Sequence, residues 1–351
     1  MNAYGFEPDF ANLRTVLLGG RGHRVPNVEL VIDREIKDAY MGKPVVTLAD
    51  DIAFRHQAGY DYTWVSIGMI DPAGTVNKDL VAAAGGDKHF QGTDRRVWAD
   101  EHSGVLSDLS RLDDYPWPDP ERLDYSPLVE ARRHLPKGMK LIAILGKVFT
   151  AAWQLTGFDD FCLKLALEPQ GVADLVRRIG EIQLDVCRKV LAFDTVGAVW
   201  VPDDVAYHSG PMVSPAWLKE HVFSFYRQMG ALCREAGKPF IYHSDGDMSL
   251  LIDEIIECGF NALHPIEPES MDIYDLRRRV GHKLCLLGNI RVHSLVTEPA
   301  EVIRLLVKDR VTRLGHEGAY CVGSSNSVPN YVPIKNYQAM LQASADFGRI
   351  T

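Results

Sequence analysis

Short β-branched runs alternate along the chain with longer segments whose apolar residues recur every three or four positions. This alternation marks βα units around a parallel sheet, because two parallel strands need a long crossover between them, usually a helix. Eight runs read as strands: 25–30, 61–67, 141–145, 198–201, 239–242, 262–264, 284–287 and 319–322. Helical patterns such as 248–258 and 299–314 fill the gaps between the later ones. Eight strands predict closure into an α/β fold of the (β/α)8 TIM-barrel type. The 351 residues suffice for one such domain over 1–351 with an addition. The addition is the stretch from about 71 to 125, rich in Gly, Asp and Pro, where the pattern breaks. Near its end the run Asp113-Asp114-Tyr115-Pro116-Trp117-Pro118-Asp119-Pro120 forbids a continuing helix. It is read as an insertion in the N-terminal half that caps one end of the barrel.

Charge and cysteine usage narrow the classes of partner. A formal charge of -9 and a pI near 5.7 argue against nucleic acid, whose phosphates require clustered Lys and Arg. The first ten residues carry Glu7 and Asp9 and lack the basic and apolar regions of a signal peptide. No uncharged apolar stretch is long enough to span a membrane. Six scattered cysteines without a C-x-x-C pair suit a reducing compartment, so a cytoplasmic address is expected.

Chemistry in a TIM barrel is drawn from the C-terminal ends of its strands, where the loops vary without disturbing the packed interior. Here every exit from the fourth onward is polar. The fourth runs into Asp203-Asp204 and Tyr207, the fifth into His243-Ser244-Asp245-Gly246-Asp247, and the sixth into His264-Pro265-Ile266-Glu267. The seventh gives Gly288-Asn289 and the eighth Ser324-Ser325-Asn326. His243 and Asp245 stand two residues apart, which in extended backbone turns both side chains to one side. With Glu267 from the next strand they form a candidate metal site of three ligands and an open position. Asp245-Gly246 is equally a common turn. Asp204 is a candidate general acid or base, with Asp203 beside it, although either could cap a helix. Asp61 and Asn289 are further catalytic candidates. Asp203, Tyr207, Ser324, Ser325 and Asn326 are candidates for substrate binding. His208, His264 and His293 show no partner in the sequence, and Cys321 lies in an apolar run where thiols are inert.

Several of these stretches, taken in order, resemble the uroporphyrinogen decarboxylase superfamily. They are Arg24-Val25-Pro26, Asp203-Asp204, His243-Ser244-Asp245-Gly246-Asp247, Leu287-Gly288-Asn289-Ile290 and Val332-Pro333-Ile334-Lys335-Asn336-Tyr337, a nearly full-length match. The resemblance implies the same barrel, used in that superfamily for porphyrinogen decarboxylation and for methyl transfer. True decarboxylases carry an arginine-rich segment, Phe-x-Arg-Gln-Ala-Gly-Arg, that grips a polyacid. Here Asn27-Val28-Glu29-Leu30-Val31-Ile32-Asp33-Arg34-Glu35 is net acidic and would repel one. The methyltransferase branch holds zinc with His-x-Cys and a later Cys. Here the pair reads His243-Ser244-Asp245, and the later position falls near Asn326.

Carboxylates in place of thiolates make a bound zinc harder and more electrophilic, which suits an oxygen ligand. The expectation is therefore a zinc-assisted methyltransferase that moves a methyl group from a small methoxylated compound to a corrinoid. The corrinoid is expected on a separate partner protein that docks at the barrel mouth. Two alternatives stand beside it. One is a metal-free decarboxylase of a smaller acid using Asp204 or Asp61. The other is a barrel that binds a ligand without turnover, against which the crowding of ionisable groups argues.

Overall fold

In the computed structural model, residues 2–70, 104–106 and 108–350 are described. Seven parallel strands form one curled sheet: β1 (Tyr62–Ser66), β2 (Lys140–Ile144), β3 (Val196–Pro202), β6 (Phe240–His243), β7 (Ala262–His264), β8 (Cys285–Leu287) and β9 (Tyr320–Cys321). The hydrogen-bonded order follows the chain, and every neighbouring pair is parallel. A small antiparallel hairpin, β4 (Ala206–Tyr207) with β5 (Gly210–Pro211), stands in the loop after β3. These seven strands lie within two residues of the runs read as strands two to eight. All seven residues of β3 are buried, as expected of a parallel strand covered on both faces. The helix Pro169–Leu191 buries Val172, Val176, Ile179, Val186 and Val190 on one stripe and packs on β3.

The first expected strand, 25–30, differs. It is an extended segment beside β9 rather than a ladder strand, with one parallel bridge at Asn27 and Val322. The Val28 N–H donates to Val322 and the Val322 N–H to Pro26. On its other side the segment meets β1 through side chains. The Tyr62 hydroxyl donates to the Glu29 carbonyl at 2.6 Å and accepts from the Glu29 N–H at 2.8 Å. Arg55, fully buried, donates to the same carbonyl at 3.3 Å and pairs with Asp51 at 3.4 Å. Its guanidinium lies over the rings of Tyr60 and Tyr62. The (β/α)8 barrel is thus closed at this seam by a tyrosine and an arginine where a backbone ladder would otherwise run.

Of the expected insertion over 71–125, residues 71–103 and 107 lie outside the described residues. The part from 108 on contains the turn Leu109–Asp114 and then extended backbone at Tyr115, and no long helix forms through its prolines. The Trp117 indole N–H donates to the Leu112 carbonyl at 2.7 Å and pins the stretch. No helix among the described residues is long and apolar enough to cross a membrane.

The Glu29 carboxylate sits inside the seam and accepts the N–H and the hydroxyl of Ser324 at 2.6 and 2.7 Å. Burial pushes its pKa up from 4.5 to about 7, opposed by those two hydrogen bonds and by Arg55. A raised folded-state pKa means the folded chain holds this proton more tightly than the unfolded chain. The contribution is therefore full below pH 4.5 and is lost as pH rises through about 7. In urea titrations between pH 4.5 and 8, wild type should lose stability relative to Glu29→Gln as pH rises across that window. Parallel pH dependences in the two proteins would show that Glu29 is not the group responsible.

Candidate metal centre

At the C-terminal end of the barrel, β3 and β6 deliver their last residues side by side. Pro202 pairs in register with His243, and His243 with His264 at the end of β7. The chain beyond β3 is held against the chain beyond β6. The Val205 N–H donates to the Ser244 hydroxyl at 3.1 Å, and the Asp245 N–H to Asp204 Oδ1 at 3.0 Å. Gly246 turns the loop at φ +90°, where a Cβ would come within 2.5 Å of the Tyr207 carbonyl oxygen, so only glycine fits. The Gly246 N–H donates to Glu267 Oε2 at 2.9 Å.

These contacts bring Asp204, His243 and Asp245 together, each with a donor atom within 4.8 Å of the other two. His243 Nε2 lies 3.6 Å from Asp204 Oδ1 and 3.6 Å from Asp245 Oδ1. Zinc bonds of about 2.0–2.2 Å at tetrahedral angles set neighbouring donors roughly 3.4 Å apart, so this donor set fits a zinc ion with one position open. The Asn326 amide spans both oxygens of Asp245, at 2.9 Å each, and fixes the plane of that carboxylate. Burial raises the Asp245 pKa and the Asp204 charge adds to it, while His243, Asn326 and Lys147 pull it down. Burial, then the charge on Asp245, raises that of Glu267. His264 is fully buried, and its Nδ1 lies 2.8 Å from His243 Nδ1. Desolvation, then His243, holds the His264 imidazole neutral, well below the ordinary histidine range.

The remaining candidates fall in other places. Glu267, expected as the third ligand, stands beside the three donors as the support of the Gly246 turn, and Asp204, expected as a general acid or base, joins His243 and Asp245 in its stead. Asp203 faces away from the mouth and is fully buried. Its carboxylate accepts the N–H groups of Val148, Phe149 and Thr150 at 2.8–3.1 Å, together with the Tyr226 hydroxyl. The helix Phe149–Thr156 has no cap from its own sequence, and Asp203 supplies one from the neighbouring strand exit. Asp61 precedes β1 at the opposite, N-terminal end of the barrel, paired with Arg24 and accepting the Asp9 N–H. With five strand residues between them, it is about 16 Å from the mouth. A cavity of about 530 Å³ opens at that end, beside Arg24, Asp9 and His23. Arg24 there is paired with Asp61, and among the described residues the metal-type donors that converge are those of the mouth.

Asn289 is buried at φ 80° and spends its amide on the Ile266 carbonyl and on Arg310. The Ser324 hydroxyl is spent on Glu29, and that of Ser325 accepts the Val292 N–H. Tyr207 is 46% exposed on the hairpin, with its ring edge toward Phe158. Two residues at the mouth have no role in the sequence reading: His264, taken there as a histidine without a partner, and the half-buried Lys147 after β2. His264 carried a signal, since it ends its strand as His243 does.

A parallel barrel with histidine and carboxylates converging at its strand exits belongs to the class in which the βα-loops carry the site. The sequence profile of uroporphyrinogen decarboxylase (URO-D) matches residues 102–347, and the chain belongs to that family. It is similar to two uroporphyrinogen decarboxylases from Actinobacillus pleuropneumoniae, serotype 5b (strain L20) and serotype 7 (strain AP76). Each is 24% identical over 262 residues, covering 70% of this chain and 70% of the relative. Its fold is like that of a methyltransferase from Methanosarcina mazei, with a TM-score of 0.69 and 15% identity over 96% of this chain and 98% of that one.

The two adjacent aspartates should separate cleanly on substitution. Asp203→Ala strands four buried donors and should lower unfolding free energy by about 3–5 kcal/mol in urea titrations. Asp204→Ala, only part-buried, should stay within about 1 kcal/mol of wild type while losing metal uptake. Equal stability losses would contradict these assignments.

Proposed function

We propose that this chain is a zinc-dependent methyltransferase that takes a methyl group from a small methoxylated compound and passes it to a corrinoid carried by a separate protein. The observation that carries this reading is the Asp204, His243 and Asp245 donor set at the mouth, with its fourth position open. Family membership supports an enzyme of the decarboxylase or methyltransferase kind. Bound there, zinc would supply Lewis acidity to an ether oxygen, weakening its bond to the methyl carbon.

The chain's own residues do the rest. Asn326 keeps both Asp245 oxygens oriented, and the Asp204 to Asp245 backbone bond holds the two carboxylates at a fixed separation. Glu267, raised by burial and by its acidic neighbour, is suited to hold a proton and give it to the oxygen that the methyl group leaves. A reduced corrinoid on the partner protein would supply the acceptor for the methyl group; the C–O bonding pair would stay on the substrate oxygen, and the proton from Glu267 would complete the free hydroxyl compound. Tyr207 at the rim, with Lys147, offers contacts to the substrate's remaining groups.

The sequence carries one Asp-x-His-x-x-Gly stretch, Asp87 to Gly92, with the spacing of a corrinoid-ligand motif. It lies outside the described residues, in a segment far too short to build a corrinoid-binding domain around it. A separate corrinoid protein therefore remains part of the proposal. The decarboxylase alternative loses Asp61, which sits at the far end of the barrel, and the mouth presents three carboxylates to an acidic substrate. The non-catalytic alternative leaves unexplained why Asp245 and Glu267 are kept where burial raises their pKa.

Purified protein should contain about one zinc per chain by elemental analysis, as a three-ligand centre requires. Given a reduced corrinoid protein and a panel of methoxylated aromatics, it should generate methylated cobalt and the matching phenol, and chelation should abolish both. Carbon dioxide release from a small acid by metal-free protein would overturn the proposal in favour of the decarboxylase.

A further inference from the structure

His243 would be an incomplete metal ligand on its own, because an imidazole presents one lone pair only when its other nitrogen carries the proton. What decides its tautomer is therefore whatever meets Nδ1. That partner is His264, the register neighbour of His243 across β6 and β7, with the two Nδ1 atoms 2.8 Å apart. The ring centres are 5.0 Å apart and the planes 26° from parallel. A centre-to-nitrogen distance of roughly 1.1 Å on each side, added to the contact, accounts for this whole separation. The rings thus meet edge to edge in a nearly linear hydrogen bond and do not lie face over face. On its far side His264 stands edge-to-face with buried Trp200, centres 5.2 Å apart and planes at 82°, which fixes the ring.

We propose that His264 is the positioning residue of the zinc centre: its Nδ1 accepts the Nδ1–H of His243 and so turns the His243 Nε2 lone pair toward Asp204 and Asp245. This rests on the zinc reading of the mouth. Two features beyond the hydrogen bond favour it. First, a lone pair on His243 Nε2 facing two carboxylate oxygens at 3.6 Å is tolerable only with a cation among them, which the proposed ion provides. Second, ligating histidines usually lean on a carboxylate or a carbonyl, which raises their basicity. An uncharged imidazole in that place adds no third negative charge beside Asp204 and Asp245. It leaves the zinc more electrophilic, as polarising an ether oxygen requires. The arrangement has a structural cost, since His264 Nε2 is buried without a hydrogen-bond partner among the described residues. Retaining such a group suggests that the ring is kept for its Nδ1.

The test uses the full chain with His264→Leu and His264→Asn, the latter able to set an amide oxygen close to where Nδ1 stands. Zinc affinity is read by competition with a chromophoric chelator, and geometry from the visible spectrum after cobalt(II) replaces zinc. His264→Leu should bind zinc about 10- to 100-fold more weakly and shift the cobalt spectrum, and His264→Asn should restore most of both. Nitrogen-15 spectra of zinc-loaded wild type should show His243 protonated at Nδ1 and metal-bound at Nε2, which decides the matter even if the leucine variant fails to fold. Unchanged affinity and spectrum in His264→Leu, or metal on His243 Nδ1, would overturn the positioning role while leaving zinc in place. A wild type that takes up no zinc would overturn the zinc reading itself, and this proposal with it.

Discussion

Glu29 joins the fold to the site. Its backbone closes the barrel, because the carbonyl and N–H that no neighbouring strand satisfies are taken by the Tyr62 hydroxyl, with Arg55 on the same carbonyl. Its carboxylate holds Ser324 by both N–H and hydroxyl, at the start of the loop that ends with Asn326 on Asp245. A buried carboxylate is expensive unless its oxygens are hydrogen-bonded, and here the bonds that satisfy it also set the wall of the mouth. The seam explains why one strand of eight is only a bridged segment: side chains do there what a ladder does elsewhere.

The mouth follows a consistent charge logic. Three carboxylates, Asp204, Asp245 and Glu267, are brought close together where burial first, and an acidic neighbour second, raises the pKa of Asp245 and Glu267. The surrounding groups hold this acidic set rather than neutralise it. Gly246 gives the turn, the Asn326 amide nitrogen donates to both Asp245 oxygens, and the buried imidazole beneath His243 is uncharged. Such a constellation is suited to a divalent cation and poorly suited to a polyanionic substrate.

Much of the architecture was legible in the sequence because parallel strands buried on both faces must be apolar runs, as β3 is throughout. The segment 25–30 misled because an extended run can pass beside a strand without forming a ladder with it. His243 and Asp245 were legible from their spacing after a strand. The third donor was not: sequence order puts Glu267 there and gives Asp204 a proton-transfer role, whereas the Gly246 turn and the Asp245 N–H bring Asp204 in. Asp61 and Asp203 carry the residue type of a catalytic acid in the wrong place: one begins its strand where the others end theirs, and the other points back at a helix terminus that lacks its own cap. Adjacency in sequence hides that Asp203 and Asp204 point opposite ways.

The most direct test is a diffraction experiment on zinc-loaded crystals at the zinc absorption edge. A single anomalous peak about 2.0–2.2 Å from Asp204 Oδ1, His243 Nε2 and Asp245 Oδ1 is the predicted result. A protein that is active in methyl transfer but shows no peak among these three atoms would contradict it.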